Sequence, residues 1–178
     1  MKTAMDKTVL HLQVARIFRS ISQGIAIVDL ALYLKDLNWS AEAIGSVLSF
    51  AGIVGAGLIL FVGITSDKYG RKQFLLIYET ITGIAALLLI GTTNPIVLTL
   101  VIVLTGFRRG QNGSAGPFMP AEQAWMAACV PLHRRGSVFS TNNALGFFGL
   151  ALGSLLAGTT YFWSRVLPGI ASFRPLFF

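Results

Sequence analysis

The sequence predicts an all-α integral membrane protein, a bundle of five transmembrane helices plus the start of a sixth. Three observations carry that expectation. Apolar residues make up 54% of the 178 and charged residues only 12%, where a water-soluble domain carries about 25% charge. The mean hydropathy is +0.70, and so small a soluble domain has too little interior to hide that much apolar surface. Finally, residues 43–66, 80–107 and 136–164 carry no charged side chain, and a span needs about 20 mostly apolar residues.

The elements follow in order. The first helix is expected over residues 14–37, with Asp29 inside it and Arg16 and Arg19 at its start. The second is expected over 41–64 and the third over 72–91. Thr92, Thr93, Asn94 and Pro95 then form a turn-rich loop. The fourth, over 96–130, is long for one span: its 35 residues rise about 50 Å against a hydrocarbon core of about 30 Å. Gly110, Gly113, Gly116, Pro117 and Pro120 lie in its middle and predict a break there. The fifth is expected over 136–162. Pro175, Leu176, Phe177 and Phe178 read as the opening of a sixth.

Fourteen Lys and Arg against seven Asp and Glu give a net charge of +7. No basic patch is interleaved with exposed aromatics, so nucleic acid is not an expected partner. The basic residues fit topology better. Lys2, Lys7, Arg16 and Arg19 precede the first span, Lys68, Arg71 and Lys72 follow the second, and Arg134 and Arg135 follow the fourth. The positive-inside rule then puts the amino terminus and the even-numbered loops in the cytoplasm of a cell (inner or plasma) membrane. The first twenty residues lack the apolar core and small-residue cleavage site of a signal peptide. A single cysteine, Cys129, excludes an intrachain disulfide.

The stretch Gly63-Ile64-Thr65-Ser66-Asp67-Lys68-Tyr69-Gly70-Arg71-Lys72 joins the second and third helices. It resembles the signature loop of the major facilitator superfamily, MFS, matching it at every fixed position and in the expected loop. The resemblance implies an MFS-type helical bundle. Residues 1–178 would be the amino-terminal six-helix half of such a transporter, truncated at the start of the sixth helix. It also implies a cytoplasmic gate made of Gly63, Asp67, Lys68, Gly70, Arg71 and Lys72, with Arg135. Asp67 would pair with Arg134 or Arg135, or face a helix amino terminus; the plainer alternative is that the basic residues only set topology. Arg109-Gly110-Gln111-Asn112-Gly113 resembles the family's fourth-helix Arg-x-x-Gln-Gly pattern, with Asn112 in place of Gln; Arg108 and Gln111 are the alternative register. The Gly-Pro pair associated with antiporters is absent from the fifth helix.

An ionisable group inside a span costs about 2.5–3.5 kcal/mol on insertion scales, so each is a functional candidate. Asp29, Arg109 and Glu122 are the expected substrate or proton-coupling residues, with Gln123 and Asn112 as hydrogen-bonding neighbours. Arg109 suits a carboxylate or phosphate through its planar fork, although an internal ion pair with Glu122 would explain both residues without any ligand. Glu79 reads as structural or snorkelling. Gly149 and Gly153 read as a close-packing pair. His11 and His133 stand without partners at metal-ligand spacing, and no phosphate-binding loop or nucleophile motif is present. No metal, cofactor or enzymatic activity is expected. The resulting function is secondary transport of a small solute by alternating access, with protons as candidate coupling ions. The partners would be the lipid bilayer, the solute and the missing carboxy-terminal half. The alternative is a non-transporting truncated fragment, or one half of a split transporter.

Overall fold

The structure is a computed structural model, and it describes residues 2–105, 119–167 and 172–173. All regular elements among these are helices: α1 Lys2–Asp36, α2 Ala41–Tyr69, α3 Arg71–Gly91, α4 Pro95–Thr105, α5 Met119–Cys129, α6 Leu132–Ala157 and the short α7 Thr160–Trp163. Four segments are long and apolar enough to cross a bilayer: Lys7–Asp36, Ala41–Tyr69, Arg71–Leu89 and Leu132–Phe162. The expected fourth span corresponds to two shorter helices, α4 and α5. The predicted break over residues 110–120 falls almost wholly outside the described residues, as does the expected sixth helix. Pro120 is described, and it sits in the first turn of α5, where its missing N–H leaves no hydrogen bond unmade.

Local chemistry explains the corners. α1 ends in a turn at Asn38, whose φ of 62° is left-handed, and Ser40 then caps α2 by accepting from Ala43 N at 3.2 Å. Asn94 caps α4 through a bond from Ile96 N at 3.0 Å, with Pro95 pre-set as the first helical residue. The expected loop between the second and third helices is far tighter than a loop. α2 runs five residues further than predicted, through Tyr69, and only Gly70 separates it from α3. Gly70 has φ 96° and ψ 118°, a conformation strained for any residue with a Cβ.

α1 lies along α6 in the most extensive helix pair, and it also meets α2 and α5; α4 closes against α2 and α3. The interior is layered. An apolar cluster at one end contains Leu30, Leu34, Ala51, Leu89, Leu98 and Ile102. A smaller one at the other end contains Leu12, Leu75 and Met126, with Trp125 and Phe139 against it. Between them lies a polar layer. The exterior is the reverse: Leu10, Val14 and Phe18, successive turns of one α1 face, are exposed. A bundle with an apolar exterior and a polar layer enclosed within it suits lipid.

Candidate functional site

The polar layer is built on one face of α1. Arg16, Ser20 and Gln23, with Arg19 beside them, occupy successive turns. Arg19 is the centre. Its Nε donates to Glu79 Oε1 of α3 at 2.7 Å, and its Nη2 contacts the same oxygen at 2.6 Å. On its other side Nη1 donates to Glu122 Oε2 of α5. Glu122 is buried, and its second oxygen accepts a long bond from Asn142 Nδ2 of α6 at 3.5 Å. One guanidinium thus joins carboxylates from two helices, and a third helix contributes the amide. Charge-assisted bonds of this kind are the strong ones, and removing one partner strands a charge in a medium that cannot solvate it.

Arg16 is only 2% exposed and lies within Coulombic reach of Glu122 and Arg19. Its guanidinium occupies the space left by the missing side chain of Gly146: a Cβ there would fall 2.8 Å from Arg16 Nε. Arg16 Nε, Ser20 Oγ, Gln23 Oε1, Thr82 Oγ1 and Asn142 Oδ1 are buried with no hydrogen-bond partner among the described residues. So many unspent polar atoms in one layer give the interior capacity to bond something further.

Asp29 is a separate feature, ten residues and about 15 Å further along α1 than Arg19. It is fully buried. Its Oδ2 accepts from Thr160 Oγ1 of α7 at 3.0 Å, and its Oδ1 has no partner among the described residues.

At the α2–α3 corner, Asp67 pairs with Arg71, four residues on, through bonds of 2.8 and 3.1 Å to Oδ1. This corrects the expected pairing of Asp67 with Arg134 or Arg135. The single-residue corner at Gly70 brings Asp67, near the end of α2, against Arg71, the first residue of α3, while Arg135 Nε turns back to Val130 O at 3.1 Å. Arg71 also donates through Nη1 to Ala124 O of α5 at 2.9 Å. The corner is thereby fastened to the helix that carries Glu122. Ser66, Asp67, Gly70, Arg71, Lys72 and Trp125 line a pocket of about 450 Å³ there. Gly63 is in open surroundings, with no atom within 4 Å of where a Cβ would stand. Lys68 and Lys72 are exposed, and Gln123, also on α5, is partly buried.

Of the residues expected to form the central site, Asp29 and Glu122 are buried, but in different layers of the bundle. Arg109 and Asn112 lie outside the described residues. Sequence reasoning reads Arg16 and Arg19 as topology signals and Glu79 as structural or snorkelling, and it does not bring Arg16 and Arg19 to Glu122. The signal was present, since Arg16, Arg19, Ser20 and Gln23 share one face and Leu10, Val14 and Phe18 the opposite one. That is an inverted amphipathic helix with its polar face to the protein.

An inside-out helical bundle with a buried, shared ion pair defines a polytopic integral membrane protein. The sequence profile of the Major Facilitator Superfamily matches residues 13–178, and the chain belongs to that family. Similar proteins include the membrane protein YJR124C of Saccharomyces cerevisiae, 28% identical over 79% of this chain and 31% of its own length. The MFS-type transporter YdeE of Escherichia coli is 23% identical over 100% of this chain and 45% of its own. The quinolone resistance protein NorA of Staphylococcus aureus is 27% identical over 84% of this chain and 37% of its own. The chain therefore spans less than half the length of these relatives. No solved structure matches it.

Proposed function

We propose that this chain is one half of a secondary transporter that moves a small solute across a cell membrane by alternating access, with its amino terminus in the cytoplasm. The single observation that carries this reading is the buried ion pair of Arg19 with Glu122, extended on its outer side by the half-exposed Glu79. Charge buried between helices is costly in lipid and marks solute or ion pathways. In repeat-built transporters the solute site lies between two halves; here Asp29, Glu122 and the unspent donors and acceptors around Arg16 would contribute to one wall, and Arg109, Asn112 and Gln123 are the further candidate residues. Asp29 and Glu122 are the carboxylates on which a coupling proton would reside.

The corner supports the gating part. Arg71 ties Asp67 to the backbone of α5, so movement of Glu122 and closure of the cytoplasmic end are mechanically linked. Gly70 is the joint, with Lys68, Lys72 and Arg135 as charged neighbours at that end.

The test uses the complete natural protein in proteoliposomes. A solute library is first screened for thermal stabilisation of the purified protein, beginning with a quinolone because one relative is named for resistance to it. Transport of the best solute is then measured in Glu122→Gln, Arg19→Gln and a Glu122→Gln, Arg109→Ala double variant. Losses of about tenfold or more in each are expected; wild-type transport by the double variant would sink the assignment.

A further inference from the structure

A second cavity lies at the same end of the bundle as the corner but on its other side, and the transport reading does not use it. Its volume is about 450 Å³, within the range of ligand sites. It opens between the start of α1, the α5–α6 turn and the first turns of α6. Arg134, Ser137 and Thr141 line it from α6, and Leu10 and Gln13 line it from α1, with Val138 between. The lining is graded. Arg134 stands in the first turn of α6, Ser137 about one turn deeper and Thr141 about two. Leu10 begins the exposed apolar stripe that continues through Val14 and Phe18 down the outside of α1.

We propose that this cavity holds the headgroup of an anionic phospholipid, with an acyl chain running down the Leu10–Val14–Phe18 face. Charge complementarity chooses the occupant. Arg134 lines the cavity, exposed Lys7 and His133 stand within two residues of lining positions, and none of the described residues lining it is acidic. Basic pockets between membrane helices select anionic headgroups. The Ser137 and Thr141 hydroxyls and the Gln13 amide can donate to phosphate and ester oxygens. A free anion would use the charges but leave the adjoining apolar stripe idle, and a neutral lipid would use the stripe but not the charges. Because Val130 and Pro131 of the α5–α6 turn form part of the wall, a bound lipid would brace the turn to which Arg135 is hydrogen-bonded.

The test is the melting of the complete purified protein in detergent. The probes are micelles doped with dioleoylphosphatidylglycerol, with dioleoylphosphatidylcholine, or inorganic phosphate alone. Phosphatidylglycerol is expected to raise Tm well above the other two. Arg134→Gln and Ser137→Leu should each remove at least about half of that shift. Lys68→Gln, at the opposite corner, should keep it. Thr141→Val, which preserves shape, is the second variant if Ser137→Leu does not fold. Equal stabilisation by phosphatidylcholine or by phosphate alone overturns the proposal. So does a full shift in Arg134→Gln, or a loss in Lys68→Gln as large as in Arg134→Gln.

Discussion

The α1–α6 seam and the α2–α3 corner both depend on glycine, yet for opposite reasons. In the seam the two backbones touch. A Cβ on Gly153 would fall 2.0 Å from Ile21 O, and one on Gly24 would fall 2.3 Å from Leu150 O. Gly149 faces Ile17 O at 2.8 Å in the same sense. In α2 and α3, Gly45, Gly52, Gly57, Gly63 and Gly83 have no atom within 4 Å of a built Cβ. Gly70, by contrast, is needed for its φ. Small residues at helix contacts replace the hydrophobic drive that lipid removes. The seam therefore reads as the rigid spine of this bundle, carrying Arg16, Arg19, Asn142 and Asp29. The corner is a joint pinned to it through α5.

The comparison can be broken most severely at its charged centre. Arg19→Met should destabilise the bundle by about 3–5 kcal/mol, because Glu122 would be left buried and unpaired; melting of the purified variant measures it. If Glu122→Gln added to Arg19→Met restored none of the loss, the stranded charge would not be its cause. Next in size is the seam itself. Gly153→Val should cost about 3 kcal/mol, at the upper end of overpacking, since the obstacle is backbone and cannot rotate away. The paired substitution Gly57→Val, in α2, should stay within about 0.5 kcal/mol. Equal melting of those two variants would erase the distinction between spine and joint. Smallest is Asp67→Asn: its ion pair with Arg71 is well exposed, so the stability change should be about 0.5 kcal/mol or less. Its effect should instead be sought in transport by the complete protein, where loss of the corner's fastening is expected to slow the solute cycle.

Much of the architecture was legible because a bilayer imposes it. Uncharged runs had to be helices, since no other element satisfies its own backbone in lipid. The loop at residues 92–94 followed from its turn residues, and the close-packing role of Gly149 and Gly153 was readable from their spacing. Other features were not legible. The length of α2 depends on Ser66, Asp67 and Lys68 continuing a helix beyond its apolar part, and composition marks such a stretch equally well as loop or helix. Arg16 and Arg19 sit where a topology signal sits, so charge counting assigned them to the cytoplasm. Glu79 read as structural or snorkelling, but its partner was hidden because it lies 60 residues away on another helix.

By itself the sequence determined that the chain enters a membrane, where its helices run, and, through residues 63–72, the family it resembles. These depend on local composition and spacing, which lipid reads one segment at a time. Only the tertiary structure decided which charges meet. Arg19 meets Glu79 and Glu122 because α1, α3 and α5 converge at one depth, and Arg16 fits because α6 has glycine opposite it. Each such contact depends on the rotation and depth of two helices at once, and no single segment encodes both.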